Sequence, residues 1–202
     1  MQNKVVLLSL LAIFTIMLPA KGMCAYSGTF APSDIDIDDL DHWKYYTWGI
    51  FSSIPLGEEI SSATLAIENI NNWDQNANIL YVHLLDTDFE GLVVGNDDNN
   101  IATGDAFAGE GLLVTTFEDL NGKPGPAENW SYDFTQEQLL TLNSYASDNR
   151  FGFGFDPDCH FYNDGVTFEV TSVPAVPEPA SLTLLGIGLL GLMGLNKRRK
   201  KS

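Results

Sequence analysis

Basic residues are scarce in the middle of this chain. Between residues 23 and 179 there are three, Lys44, Lys123 and Arg150, against all 27 acidic residues of the sequence, so this segment has a formal net charge of −24. A surface of this kind repels nucleic acid and anionic membrane surfaces, so both are poor partners for this segment, and no nucleic-acid partner is expected. We interpret most of the acids as aids to solubility, with bound divalent cations as the functional alternative.

Histidine is also rare, and the chain has only His42, His83 and His160. None of the three lies in a recognisable nucleophile, zinc or acid–base motif. Cys159 is adjacent to His160, but neighbouring side chains on extended backbone point apart, so the two do not indicate a thiolate–imidazole pair. We therefore predict no catalytic residues and a protein that is not an enzyme.

Long apolar runs occur at two places in the sequence. The first covers residues 5–18, follows a short stretch that ends at the basic Lys4, and has the length of a signal-peptide core. Cleavage after Gly22 fits the rule of small residues at the cleavage site. Residues 1–22 are therefore predicted to be a signal peptide for the Sec export machinery, and the rest of the chain is expected to be exported.

The two cysteines, Cys24 and Cys159, would then lie in an oxidising compartment. There they can form one disulfide that ties the start of the domain to a late loop. Formation depends on where the signal peptide ends. Cleavage after Gly22 keeps both thiols, whereas cleavage after Ala25 leaves Cys159 alone, and both outcomes stay open at this point.

The second apolar run covers residues 180–195 and lies between two distinctive segments. Before it, Pro177 and Pro179 hold Glu178 in an extended strip, because proline fixes φ and has no N–H group. After it comes a basic cluster composed of Lys197, Arg198, Arg199, Lys200 and Lys201. The positive-inside rule keeps this cluster in the cytoplasm, which predicts one transmembrane helix at 180–195 and a preceding domain outside.

These three parts, in this order, resemble the PEP-CTERM sorting signal of Gram-negative bacteria. The resemblance implies that an exosortase-type membrane enzyme recognises Pro177, Glu178 and Pro179 and cuts the tail. It also implies a transient tether to the inner membrane, followed by delivery to the cell surface or to extracellular polysaccharide. A plain membrane anchor is the alternative, in which the Gly-x-x-Gly spacing that begins at Gly188 forms a helix-packing face.

Residues 23–170 are predicted to form one mostly-β domain. Alternating apolar and polar side chains predict strands at 63–67 and 166–170, and further strands are expected at 43–51, 79–85, 91–95 and 111–117. Turn-rich stretches separate these strands, which favours an antiparallel β-sandwich or jelly roll. The proline-rich residues 171–179 are predicted to be a stalk between this domain and the membrane.

One further strand and one helix have recognisable patterns. Phe151, Phe153 and Phe155 are expected to pack into the core, while the glycines between them leave the other face of their strand bare. A short helix is predicted at 136–145 with Thr135 as its N-cap. Its apolar stripe is expected to consist of Leu139, Leu140 and Leu142.

Calcium is the one cofactor that the acidic residues suggest, because it binds six to eight oxygen ligands that loops often supply. The strongest group of candidate ligands is Asp156, Asp158 and Asp164, which lies between two predicted strands. The acidic run at 34–41 resembles the start of an EF-hand, but Asp39 stands where glycine is needed, which excludes that motif. This run is alternatively a charged edge strand that blocks pairing between sheets.

Aromatic residues crowd the strand predicted at 43–51. Trp43, Tyr45 and Trp48 are the candidate platform for a glycan, as aromatic rings on jelly-roll domains often are. Alternation places Trp43 and Tyr45 on one face of the strand and Trp48 on the other. One of these faces is expected to pack in the core, so the other would carry any platform.

The main hypothesis from the sequence is an exported, non-catalytic surface or extracellular-matrix protein. It would be tethered briefly to the inner membrane and processed by an exosortase-type enzyme. The first alternative is a calcium-dependent carbohydrate-binding module on the cell surface that uses the same export route. The second alternative is a protein anchored permanently in the inner membrane and facing the periplasm.

Overall fold

A computed structural model describes residues 25–97, 104–119 and 126–175 of the chain. These residues form ten strands, one α-helix and two short helical turns, at Asp38–Leu40 and Ala146–Asp148. The strands and the helix are β1 (Ser27–Phe30), β2 (Lys44–Phe51), β3 (Glu58–Asn72), β4 (Asn78–Leu85), β5 (Gly91–Asn96), β6 (Leu112–Asp119), β7 (Glu128–Asp133), α1 (Gln136–Tyr145), β8 (Arg150–Pro157), β9 (Phe161–Tyr162) and β10 (Gly165–Pro174).

The strands form two antiparallel sheets. The first has the order β1-β10-β3-β7, with the short β9 paired to the end of β3, and the second has the order β5-β2-β8-β4-β6. In the first sheet Phe168 lies opposite Leu65, and in the second Trp48 lies opposite Phe153. The mostly-β antiparallel fold with one short helix is therefore as the sequence predicted.

Aromatic rings from the two sheets meet in the core. Phe168 of the first sheet packs edge-on against Phe153 of the second, with 4.8 Å between ring centroids, and Phe151 lies 5.8 Å from the same ring. All three side chains are fully buried, as is Phe155. The alternating phenylalanines of β8 thus hold the two layers together, because rings of this size bury the most apolar area.

The opposite face of β8 is covered, contrary to the expectation of a bare face. Gly154 lies under the Phe107 ring, and a Cβ atom at position 154 would come within 2.8 Å of that ring. Gly152 is covered in the same way by the Thr87 side chain. The absence of side chains on β8 therefore lets loops from the second sheet fold back against it.

The helix α1 begins where the sequence predicted. The Thr135 hydroxyl accepts a hydrogen bond from the Gln138 amide at 3.3 Å, and the Gln138 side chain accepts one from the Thr135 amide at 2.8 Å. This reciprocal pair satisfies two amides at the helix start. Leu139 and Leu142 are buried, but Leu140 is exposed and does not belong to the apolar stripe.

Several predicted features lie outside the described residues. These are the signal peptide at 1–22, Cys24, the Pro177-Glu178-Pro179 strip, the transmembrane helix at 180–195 and the basic cluster that follows it. Across residues 25–97, 104–119 and 126–175, no helix has the length and apolar character needed to span a membrane. Residues 171–174, which the sequence assigned to the stalk, belong to the last strand, because β10 continues to Pro174.

Candidate functional site

The acidic run at 34–41 forms a left-handed turn rather than the edge strand considered from the sequence. Ile37, Asp38, Asp39 and Leu40 have φ values of 52°, 53°, 54° and 46°. None is glycine, and each such residue costs about 1–2 kcal/mol relative to right-handed backbone. Ile37 and Leu40 are fully buried, and burial of each contributes about 1.5–3 kcal/mol, which offsets this strain.

The left-handed turn positions the two residues that follow it. The Asp41 amide donates a hydrogen bond to the Tyr46 hydroxyl at 2.9 Å, and the next residue, His42, donates its amide to Asp41 Oδ1 at 2.9 Å. Trp43 returns to left-handed backbone with φ 62° before β2 begins. Adjacent side chains on a regular strand point to opposite faces, so this irregular backbone is what lets Asp41 and His42 converge.

A second segment reaches the same place from the other sheet. Trp73 follows the last residue of β3, and its amide donates to the His160 carbonyl oxygen at 3.2 Å. His160 lies just before β9, whose residue Tyr162 pairs with Asn71 of β3. The pairing of β9 with the end of β3 therefore carries His160 to the end of the sandwich where His42 lies.

The side chains of Asp41, His42 and His160 form a compact group, named here the Asp41 cluster. Asp41 Oδ1 lies 3.1 Å from His42 Nδ1 and 3.6 Å from His160 Nδ1. One nitrogen or oxygen atom from each of the three lies within 4.8 Å of the other two. The three side chains are partly exposed, at 34% for Asp41 and His42 and 18% for His160.

Aromatic rings surround the Asp41 cluster. The Trp73 ring stacks on both imidazoles, 6.2 Å from His42 and 6.0 Å from His160, and the Trp43 ring meets His42 edge-on at 4.7 Å. Tyr162 lies 4.5 Å from His160. Trp43, Trp73 and Tyr162 are exposed by 58%, 45% and 43%, so these rings form the rim of the cluster at the surface.

The electrostatics of the cluster centre on the Asp41 carboxyl. Its partial burial raises the pKa, but the hydrogen bond from Lys44 and the positive charges of His42, Lys44 and His160 outweigh this and lower the pKa below its ordinary value. Lys44 Nζ lies 3.3 Å from Oδ2. The other oxygen, Oδ1, therefore faces the two imidazoles as an ionised acceptor.

The three residues predicted as calcium ligands have separate environments. Asp158 Oδ1 accepts a hydrogen bond from the Ile79 amide at 2.6 Å, and Asp164 Oδ2 accepts one from the Asn69 side chain at 2.5 Å. Asp156 is buried on β8. Within the described parts of the chain the three carboxylates do not come together as a group within 4.8 Å, so their assignment to calcium stays a prediction.

Asp156 is the most perturbed acid among the described residues. Burial raises its pKa to about 7, against the hydrogen bond that Ala106 donates, and the negative charges of Asp97, Asp105 and Asp158 raise it further. The Ala106 amide donates to Asp156 Oδ2 at 2.7 Å. Burial also raises the pKa of Asp158, to about 6. This part of the second sheet thus holds several acids in close proximity.

The three residues of the predicted glycan platform do not share one surface. Trp48 is buried in the core, with 3% of its surface exposed, while Trp43 is exposed by 58% at the Asp41 cluster. Tyr45 packs edge-on against Phe107 with 5.4 Å between ring centroids. The exposed aromatic surface instead combines Trp43 with Trp73 and Tyr162, which come from other segments.

Cys159 lies beside the same end of the sandwich. Its Sγ atom accepts a hydrogen bond from the Trp73 indole N–H at 3.2 Å, and the residue is partly buried. Its predicted disulfide partner, Cys24, lies outside the described residues, so the disulfide stays a prediction. Cys159 is not among the residues whose ligand atoms meet in the Asp41 cluster.

No pattern in the sequence indicates the Asp41 cluster. His42 and His160 lie in different loops with no metal-binding spacing between them, and His83 was equally plausible as a partner. His83 instead lies 2.9 Å from Asp105, on the second sheet. The convergence of His42 and His160 depends on the pairing of β9 with β3, which links residues distant in sequence.

The described domain belongs to the class of acidic antiparallel β-sandwiches, and comparison with known families identifies the segment that follows it. The family model described as the PEP-CTERM protein-sorting motif matches residues 175–200. This range contains the Pro-Glu-Pro strip, the apolar run and most of the basic cluster, so the chain carries a PEP-CTERM sorting motif in this segment, as predicted. No curated protein matches the chain.

Proposed function

We propose that this chain is an exported, non-catalytic cargo protein of the cell surface or extracellular matrix, released from the inner membrane by an exosortase-type enzyme. The observation that carries the proposal is the sorting motif at residues 175–200. This motif supports export and processing by an exosortase-type system. In the proposal, Pro177, Glu178 and Pro179 are the recognition residues, residues 180–195 are the transient anchor, and the basic cluster stops transfer.

The end of the folded domain favours this division of roles. β10 ends at Pro174, and the amide of Ala175 donates a hydrogen bond to the Gly57 carbonyl oxygen at 2.8 Å. The match to the sorting motif begins at this same residue. The last described strand thus ends just before the motif begins, which supports processing outside the folded sandwich.

The test is the intact mass of the protein recovered from cell surface and medium of a host that makes an exosortase. The proposal predicts a species that ends near Glu178 and lacks the basic cluster. Replacing Pro177, Glu178 and Pro179 with alanine should leave the full-length chain in the membrane fraction. Glu59→Ala, at an exposed acid of the domain, is the matched control and should be processed normally.

Permanent anchoring is the competing outcome of the same measurement. A full-length chain found only in membranes, with the same mass for the parent and the alanine variant, would contradict processing and support a protein that stays in the inner membrane. The mass therefore separates the main proposal from the anchored alternative without any knowledge of what the domain binds.

Glycan binding is a second candidate function, and the exposed rings at the Asp41 cluster favour it. Trp43, Trp73 and Tyr162 present aromatic surface at one end of the sandwich, and such rings stack on the apolar faces of sugars. Gel retardation on immobilised polysaccharides, with and without calcium, tests this function. Trp73→Ala should abolish retention, and equal mobility on all polysaccharides would contradict it.

A further inference from the structure

We propose that Asp41, His42 and His160 bind one divalent transition-metal ion, for which Zn²⁺ is the best match. The ligand set is two imidazoles and one carboxylate, whose nitrogen and oxygen atoms are the ligands that Zn²⁺ accepts. Calcium prefers an all-oxygen shell, so this site differs in chemistry from the calcium site considered from the sequence.

The distances fit a metal centre. Zinc bonds of about 2.0–2.2 Å in tetrahedral geometry place ligand atoms about 3.3–3.5 Å apart. Asp41 Oδ1 lies 3.1 Å from His42 Nδ1 and 3.6 Å from His160 Nδ1, which brackets that separation. All three ligand atoms fall within 4.8 Å of one another.

The hydrogen bonding within the cluster points the same way. His42 Nδ1 is a buried atom that makes no hydrogen bond, although Asp41 Oδ1 is only 3.1 Å away. A buried polar atom without a partner is unfavourable, because it has lost its hydrogen bonds to water and gained none in the protein. Asp41 Oδ1 already accepts the His42 amide, and a cation bound beside it would give His42 Nδ1 the partner that it lacks.

The backbone around the site is also strained in the way that functional sites often are. Ile37–Leu40 and Trp43 all have positive φ values without any glycine among them. This strain is what turns Asp41 and His42 toward the same point. The carboxylate is restricted as well, because Lys44 occupies Oδ2 at 3.3 Å and leaves Oδ1 as a single ligand atom.

Three protein ligands leave a fourth coordination position open, as in zinc sites that bind a water molecule or a further ligand. The partial exposure of Asp41, His42 and His160 gives that position access to solvent. The strongly acidic domain also raises the local concentration of cations. The inference is independent of the sorting proposal, because no residue of the motif at 175–200 takes part.

The test is calorimetric titration of the full chain, purified in mild detergent, with Zn²⁺ in excess Mg²⁺. Magnesium occupies exposed carboxylates but binds imidazole poorly, so the zinc signal reports histidine-containing sites. We expect one ion per chain and at least a tenfold loss of affinity in His160→Ala and in His42→Ala. His83→Gln is the matched control, because His83 lies beside Asp105, and it should bind zinc as the parent does.

A second readout uses the indole that covers the cluster. Because the Trp73 ring lies 6.2 Å and 6.0 Å from the two imidazoles, Cu²⁺ should quench the fluorescence of the parent, and less quenching is expected in Trp73→Phe. If His160→Ala does not fold, His42→Ala tests the same site, because the His42 side chain is partly exposed and its loss should disturb the fold less. Parental zinc affinity in folded His42→Ala, or no histidine-dependent binding at all, would overturn the proposal and favour an imidazolium–carboxylate pair.

Discussion

Asp156 stabilises the fold when it is protonated and destabilises it when it is ionised. Its side chain is 1% exposed on β8, and burial raises its pKa from 3.8 to about 7. Between those two values the folded chain binds more protons at this site than the unfolded chain does. The free energy of unfolding therefore falls as the pH rises from about 4 to about 7 and levels off above that range.

The magnitude follows from the size of the shift. A rise from 3.8 to about 7, at 1.36 kcal/mol per pKa unit, corresponds to about 4 kcal/mol of stability lost at this one carboxyl above pH 7. Asp156→Asn removes that loss, because the amide is neutral and its oxygen can still accept the hydrogen bond from Ala106. The variant should match the parent near pH 4 and exceed it by up to about 4 kcal/mol at pH 8.

Thermal melting of parent and Asp156→Asn at several pH values between 4 and 8 measures this difference. At pH 8 the melting temperature of the variant should be higher by on the order of 10 °C. Asp88→Asn, at an exposed acid, controls for the loss of one negative charge from so acidic a chain. Parallel melting curves for parent and Asp156→Asn across this pH range would refute the reasoning, as would a variant that is less stable at pH 8.

Three further substitutions test the packing of the two sheets and of α1. Phe168→Ala removes a fully buried ring between the layers and should lower the free energy of unfolding by about 3–5 kcal/mol in denaturant titrations, whereas an effect below 1 kcal/mol would contradict its central place. Asn143→Ala breaks the hydrogen bonds to the Ile60 amide and carbonyl, and chemical denaturation should show a free energy of unfolding lower by about 1–3 kcal/mol. Ser144→Ala, at the next residue, is the control and should have little effect. Thr135→Ala removes the N-cap bonded to Gln138 and should lower the free energy of unfolding by about 1 kcal/mol. Thr135→Ser keeps a capping hydroxyl and should retain most of that free energy. Equal stability of the two variants would argue against the cap.

The strands in which apolar and polar side chains alternate were predictable, because this alternation places all the apolar side chains on one face, which is then buried. Val166, Phe168 and Val170 are buried in β10, and Ala63, Leu65 and Ile67 are buried in β3, as the alternation predicts. The α1 cap was predictable from the position of Thr135 just before the apolar stripe, and the structure adds Gln138 as its partner in a capping box. In these segments local chemistry and long-range packing favour the same structure.

The rest depended on interactions that no short stretch of sequence contains. Left-handed backbone usually depends on glycine or asparagine, and the turn from Ile37 to Leu40 has neither, so its sequence predicts a strand or metal ligands rather than this turn. The Asn163 side chain donates to the Asp36 carbonyl oxygen at 2.8 Å and helps to hold this turn from the far end of the chain. Contacts of this kind appear only after the sheets have formed.

The same long-range pairing separates the Asp41 cluster from the sorting motif. β3 begins at Glu58, which pairs with Pro174 beside the motif, and ends at Asn72, next to Trp73 of the cluster. A strand of this length extends about 45 Å. Because Ala175, the first residue of the motif match, bonds to Gly57 at the start of β3 while the Asp41 cluster lies beyond its other end, we expect processing of the motif to leave the proposed metal site unaffected. Zinc binding and tail processing should therefore vary independently: Glu178→Ala should leave zinc affinity unchanged, and His42→Ala should leave the processed mass unchanged. A shift of either property in the other variant would contradict this separation.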